Sequence, residues 1–231
     1  MARKKKRARA GSKAGGPPRP GRPAPPPPRS GGAWRRFWPI GLIGLGLVVL
    51  VVVLLGRGNP GLAPGQASPA LLASAAGQAA GQPVDGVDCQ QAEQVLFHIH
   101  AHLAVYVGGE PRAIPYGIGI VPPWTVADSQ EGPFVTSGRC FYSLHAHTQD
   151  GIIHVESPVE RTYTLGNYFD IWRQPLGPGQ VGPAKGTVTA YLNRALYTGD
   201  PRAIPLTAHA LIQLDVGTVV SPKPFTFPAG L

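Results

Sequence analysis

Six of the seven histidines in this 231-residue chain lie in two short segments, residues 97–107 and 144–156. Their positions are His98, His100 and His102 in the first segment, and His145, His147 and His154 in the second. Imidazole is the commonest side-chain ligand for metals in proteins, and it suits zinc and copper(II). The residue types and their clustering therefore predict a metal site, with all six histidines as candidate ligands.

The first segment has the pattern of a half-buried β-strand. Its odd positions from Phe97 to Val107 are all apolar, whereas its even positions begin with the three histidines. Residues i and i+2 of a strand point the same way about 6.6 Å apart, so a His-x-His pair can turn two imidazoles onto one ion. His98 and His102 would lie about 13 Å apart, so only two of the three can share an ion. We expect His100 and His102 to form this pair.

The second segment supplies the partners. His145 and His147 form another His-x-His pair, and a tight turn at Asp150 and Gly151 would fold the strand of His154 back beside them. Three or four imidazoles could then meet from two hairpins. Asp150 and Glu156 are the nearby carboxylates, and each could be a further ligand or accept a ring N–H. The alternatives are a turn former for Asp150 and an exposed strand charge for Glu156.

Sulfur ligands are scarce, which narrows the choice of metal. The only methionine is Met1, so a thioether-rich copper(I) site is excluded, and we expect a divalent transition-metal ion, copper or zinc. The two cysteines are Cys89 and Cys140. A lone cysteine pair outside the cytoplasm favours a disulfide, which would tie the two histidine segments together. The alternative is Cys140 as a thiolate ligand.

The first 84 residues differ in composition from the rest. Residues 1–36 hold twelve Lys and Arg and no acid, so we expect a disordered basic cytoplasmic tail. Residues 37–56 carry no charge and predict a transmembrane helix of about 30 Å, and residues 57–84 predict a flexible linker. The basic excess before the span predicts a single-pass plasma-membrane protein with its C-terminal domain outside the cell. A cleaved signal peptide is the alternative.

Residues 85–231 predict one compact extracytoplasmic domain of the α+β class, mostly antiparallel β. Short apolar runs at 113–121, 139–147, 152–156, 186–192 and 210–216 are typical of strands. Thr164 is the expected N-cap of a single short helix over 165–172, which ends before Pro175. A second, weaker signal is Asp88 followed by Gln91, which could cap a helical turn to Gln94.

The domain resembles an uncharacterised family of membrane-anchored extracytoplasmic proteins from bacteria and archaea. The resemblance is carried by His-x-His-x-His-Leu at 98–103, by Leu-His-x-His and Gly-Ile-Ile-His-Val-Glu at 144–156, and by the aromatic segment 163–172. It covers roughly residues 88–220. The resemblance implies an architecture and a location, and it implies no reaction.

Three functions are compatible with these features. The first is a tethered metal-binding protein that handles copper or zinc, the second is a hydrolytic or oxidative metalloenzyme, and the third is an envelope interaction domain with a pH-sensing histidine cluster. We expect membrane lipid to be a partner through the helix and the basic tail, and an envelope protein to be another. We expect no nucleic acid partner, because the tail has no aromatic residue before Trp34.

Overall fold

The strand β2 (Phe97–Val107) lies at the centre of the main sheet in the computed structural model, which describes residues 68–231. Its odd positions Ala101, Leu103 and Val105 are at most 1% exposed and belong to the hydrophobic core. Its histidines lie on the opposite face of the strand, as the alternation predicts. One face of the sheet is therefore apolar and the other is polar.

The described residues form sixteen strands, one α-helix and one 3₁₀ turn (Pro201–Ala203). In chain order the elements are β1 (Cys89–Gln90), β2 (Phe97–Val107), β3 (Glu110–Arg112), β4 (Thr125–Ser129), β5 (Gly132–Ser137), β6 (Phe141–Tyr142), β7 (Leu144–His145), β8 (Ile152–Ser157), β9 (Tyr163–Thr164), α1 (Leu165–Trp172), β10 (Leu176–Gly177), β11 (Gln180–Val181), β12 (Ala184–Lys185), β13 (Val188–Leu192), β14 (Ala195–Tyr197), β15 (Pro205–Leu206) and β16 (Ala210–Val216).

The main sheet has seven strands in the order β14-β13-β16-β2-β8-β7, with β3 paired to one end of β2. Every pairing is antiparallel except that of β16 with β2, which is parallel. The hairpin of β4 and β5 forms a separate two-stranded sheet. The expected α+β class, mostly antiparallel β, is confirmed for the described residues.

The helix α1 begins and ends where the sequence predicts. Thr164 is the N-cap of a capping box with Asn167, and the helix ends at Arg173 in the left-handed conformation, with φ at 57°. Six of its eight residues are buried, and Tyr168, Phe169 and Trp172 are fully so. A helix surrounded in this way is held by packing, because eight residues are too few for a stable isolated helix.

The predicted linker over 57–84 differs from the structure in its described part. Leu72, Ala75 and Ala79 are buried in the main core, and the Leu72 amide donates to the Ala113 carbonyl over 2.9 Å. The Trp172 indole also donates to the Ser74 carbonyl. The folded domain thus begins before Asp85, because irregularly spaced small apolar residues pack onto α1 without showing a periodic pattern in the sequence.

Two other expectations fail, and three lie wholly or partly outside the described residues. The segment that Asp88 was expected to cap is strand β1 followed by a loop rather than a helical turn, and residues 116–119 of the expected strand 113–121 form turns, with Gly117 and Gly119 at positive φ. No helix within 68–231 is long and apolar enough to cross a bilayer. The predicted tail at 1–36, the predicted transmembrane helix at 37–56 and the first part of the linker lie outside the described residues.

A disulfide joins Cys89 to Cys140, so the alternative of Cys140 as a metal ligand is wrong. The cysteines lie 51 residues apart, and β1 pairs with β6 beside them. Cys89 precedes the β2 strand and Cys140 precedes β7, so the bond ties together the two segments that carry the histidines.

Removing this bond should lower the stability of the protein. Closing a loop of this length restricts the unfolded chain by about 4 kcal/mol in the chain-entropy model. We expect the double variant Cys89→Ala/Cys140→Ala to lose about this much free energy of unfolding in urea. An unfolding midpoint equal to that of the wild type would contradict the expectation, and wild-type protein under a reductant serves as the control.

Candidate metal centre

Strand register places three imidazoles in one row across the polar face of the sheet. His145 on β7 is the partner of His154 on β8, and His154 is in turn the partner of His100 on β2. Adjacent strands lie about 4.8 Å apart, so paired residues on three neighbouring strands form a line of touching side chains. The ring centroids of His100 and His154 are 4.6 Å apart, and those of His145 and His154 are 5.4 Å apart.

His98 and Glu156 form the next row. They are register partners on β2 and β8, and the His98 Nε2 atom lies 3.1 Å from the Glu156 Oε1 atom. The same nitrogen lies 3.0 Å from Nε2 of His100. Glu156 is only 5% exposed, so its carboxylate is buried against imidazoles rather than solvated. The structure thus contradicts the exposed-charge alternative for this residue.

His145 has its tautomer fixed by the backbone. Its Nδ1 atom lies 2.9 Å from the Tyr142 carbonyl oxygen, and since a carbonyl can only accept, Nδ1 must donate. The neutral ring then presents a lone pair at Nε2. Burial, followed by the neighbouring His154 and His147, lowers the pKa of His145 to about 3, which keeps the ring neutral near pH 7.

His147 is fixed in the same way by the β4–β5 hairpin. Its Nδ1 donates to the Val135 carbonyl over 2.6 Å, and its own carbonyl accepts from the Val135 amide over 3.0 Å. Phe134 stacks on the ring, with centroids 4.6 Å apart and planes 8° apart. With its Nδ1 proton on that carbonyl, the His147 ring directs Nε2 at the cluster and is held in place by hydrogen bonds and stacking.

The Nε2 atoms of the two rings face each other. The Nε2 atoms of His145 and His147 are 3.1 Å apart, and two neutral rings with protonated Nδ1 cannot hydrogen-bond through them. Such nitrogens repel unless a cation lies between them. Two ligands of a tetrahedral zinc ion, with bonds of about 2.0–2.1 Å, lie about 3.3 Å apart. Metal-ligating histidines also usually donate their other ring N–H to a carbonyl or a carboxylate.

Glu93 places a carboxylate beside His145 and His147, and it is a site residue that no motif in the sequence indicated. It lies in the loop before β2, and its Oε1 atom lies 3.4 Å from Nε2 of His147 and 4.0 Å from Nε2 of His145. Burial and the nearby Glu156 raise the pKa of this carboxyl. Its position four residues after Cys89 was the only available signal, because the disulfide holds this loop near the second histidine segment.

Three groups of described residues have donor atoms close enough to hold a metal ion. In each group all donor atoms lie within 4.8 Å of one another. The groups are His98 with His100 and His154, His145 with His147 and His154, and Glu93 with His145 and Glu156. His154 belongs to two of them, and its Nδ1 is buried without a hydrogen-bond partner in the described part of the chain. Burial and the surrounding histidines lower the pKa of His154.

The structure brings five of the six predicted histidines together and separates His102. The β2 pair is His98 with His100, rather than the expected His100 with His102. The reason is the register, since β8 offers Glu156 and His154 opposite the first two histidines but Ile152 opposite His102. The His102 ring stacks on Phe225 at a centroid distance of 3.6 Å and lies in a different pocket.

The remaining predicted site residue, Asp150, acts as a turn former. Its Oδ1 accepts the Ile152 amide over 2.9 Å, although it also lies at the rim of the cleft beside the cluster. His209, which the sequence does not place in the site, bonds the Leu231 carbonyl through Nε2. Neither residue belongs to the three donor groups.

A cleft of about 420 Å³ opens onto every donor residue of the cluster except His145. Among the described residues its lining includes four carboxylate side chains, those of Glu93, Glu131, Asp150 and Glu156, and no lysine or arginine. A cleft with one sign of charge concentrates ions of the opposite sign. The electrostatics of the site therefore favour cations and disfavour anionic ligands.

No protein-family profile, curated protein or solved structure matches this chain. The family resemblance suggested by the motifs stays a prediction.

His102, which lies outside the donor groups, should make the free energy of unfolding depend on pH. Burial lowers its pKa to about 4, while an unfolded imidazole titrates near 6.5. Between these values the unfolded chain binds a proton that the folded protein does not, so stability present at pH 7 is lost as the pH falls. Between pH 7 and 4.5 we expect the free energy of unfolding to fall by about 2 kcal/mol more in the wild type than in His102→Gln.

The measurement is urea unfolding of the metal-free protein at the two pH values, for the wild type and for His102→Gln. The other histidines are common to both proteins and cancel in the difference. Equal pH dependence of the two proteins would show that the folded pKa of His102 is not lowered.

Proposed function

We propose that this chain is a metal-binding protein of the cell envelope that handles a divalent transition-metal ion, copper(II) or zinc(II). The ion binds at Nε2 of His145 and His147, with Glu93 and Glu156 as the nearby carboxylates. One observation carries the proposal. The Nε2 atoms of these two rings are 3.1 Å apart, and the Nδ1 atom of each ring donates to a backbone carbonyl.

The cluster is too polar and too buried to be explained by sheet packing alone. Glu156 and His145 are at most 5% exposed, yet Oε2 of Glu156 and Nδ1 of His154 have no hydrogen-bond partner among residues 68–231. An unsatisfied buried polar group costs about 1–3 kcal/mol, and more when it is charged. A metal ion would turn these unpaired atoms into ligands or into neighbours of a positive charge.

The donor set supports copper(II) or zinc(II). The site offers imidazole and carboxylate, and both cysteines are held in the disulfide. Imidazole suits copper(II), zinc(II), iron and nickel, whereas thiolate and thioether ligands select copper(I). With the only methionine at Met1, this chain has no soft ligand set.

The proposed location is the outer face of the plasma membrane. Twelve basic residues precede an uncharged stretch at 37–56, which supports a single-pass anchor with the N-terminus inside. The Cys89–Cys140 bond supports an oxidising compartment for the folded domain. Membrane lipid, and an envelope protein that receives or delivers the ion, are the partners that this arrangement implies.

A metalloenzyme is the second candidate, and one observation favours it. The donor cluster lies at the wall of an open cleft rather than in a closed core, which leaves room for a substrate beside the ion. The described part of the chain places no lysine or arginine in the lining of this cleft, which disfavours phosphate esters and other anionic substrates.

Metal analysis of the purified full chain tests the proposal. The protein is purified with a tag that contains no histidine, and copper(II) or zinc(II) binding is measured by competition with a chromophoric chelator. We expect His147→Ala to weaken binding by more than about 100-fold, because losing a group beyond the ligands already costs 10–100-fold. The matched control is His102→Gln, which removes a histidine that belongs to none of the three donor groups and should bind like the wild type. Absence of a bound ion, or equal loss in both variants, would contradict the proposal.

A further inference from the structure

We infer that the cluster is a two-ion centre, with the carboxylate of Glu156 bridging the two metal ions. This inference rests on the proposed function and adds a second binding position to it. One ion lies at His145 and His147, the other at His98 and His100, and both adjoin Glu156.

The first argument is the number and spread of the donors. Five imidazoles and two carboxylates converge, whereas a first-row divalent ion takes four to six ligands. The His98–His100 pair and the His145–His147 pair also fall in separate groups of the described residues, each within 4.8 Å internally. Ligands on opposite sides of one ion lie at most about 4.2 Å apart, so one ion cannot serve both pairs.

The second argument is that the two pairs have nearly the same spacing between their Nε2 atoms. The Nε2 atoms of His98 and His100 are 3.0 Å apart, and those of His145 and His147 are 3.1 Å apart. Both distances are close to the ligand spacing about one tetrahedral ion, about 3.3 Å. His154 stands between the pairs and provides a third imidazole within reach of either one.

The third argument is the orientation of Glu156. Its Oε1 atom faces the first pair, 3.1 Å from Nε2 of His98, and its Oε2 atom faces the second pair, 3.8 Å from Nε2 of His145. Oε2 is buried and has no hydrogen-bond partner. In two-metal sites the ions lie about 3.5–4 Å apart, a separation that a single carboxylate spans with one oxygen on each ion.

The charge of the cleft fits two ions better than one. Within residues 68–231 its lining carries four carboxylates and no lysine or arginine, so two divalent ions would balance a formal charge that one ion would only halve. The two positions also differ in solvent access. The His98 side chain is 38% exposed and that of His145 is fully buried, so the position at His98 and His100 should be the weaker and more readily exchanged one.

Titration of the full chain with copper(II) chloride tests the inference. We expect two copper ions per chain, the second bound more weakly, and His98→Ala should bind only one. The control His102→Gln should retain two. One ion per wild-type chain, or an unchanged stoichiometry in His98→Ala, would overturn the two-ion centre and leave the proposed function standing. Failure to bind either copper(II) or, in a parallel titration, zinc(II) would overturn both.

Electron paramagnetic resonance of the wild type gives a test that depends on no variant. At one equivalent of copper(II) the integrated signal should match the copper present. At two equivalents magnetic coupling through the bridging carboxylate should make the signal fall below the copper content or split. A full, uncoupled signal from both ions would overturn the bridge.

Discussion

The proposed metal site depends on one constraint, the fixed tautomers of His145 and His147. The backbone carbonyls of Tyr142 and Val135 take the Nδ1 protons and leave two lone pairs facing each other at 3.1 Å. Hydrogen bonds between neutral rings cannot satisfy this arrangement, whereas a metal ion can. The remaining features of the site either hold these two nitrogens in position or add donors beside them.

The fold supplies the rigidity that such a constraint requires. The apolar face of the main sheet packs on the fully buried aromatics of α1, which fixes β2, β7 and β8 relative to one another. On the polar face the β4–β5 hairpin clamps His147 through two backbone contacts with Val135. Gly119, with φ at +74°, lets a turn lie against the backbone of β7, since a Cβ there would come within 2.1 Å of the Leu144 carbonyl oxygen. The site is therefore held from both faces of the sheet.

Local sequence patterns predicted the elements whose structure depends on residues close together in the chain. Alternation predicted β2, the Thr164 cap predicted α1, and the clustering of histidines predicted that several would converge. The composition of 68–84 suggested a linker, because the burial of Leu72 and Ala79 depends on contacts with distant residues.

The details of the site were decided by tertiary structure. Which histidines pair depends on the register of β8 against β2, and no pattern within either strand encodes that register. Glu93 reaches His147 only because the chain before β2 is tied to β6 by the disulfide. Val135, which supports His147, lies twelve positions earlier in the β4–β5 hairpin, and the sequence did not indicate where that hairpin packs.

The most direct test of the account is a crystal structure of the zinc-loaded protein, with anomalous data recorded at the zinc absorption edge. We expect a zinc ion bonded to Nε2 of both His145 and His147. Each Nδ1 should still donate to its backbone carbonyl, that of Tyr142 or Val135. The lack of a zinc ion bonded to both of these Nε2 nitrogens, or zinc bound through Nδ1 of either histidine, would contradict this expectation.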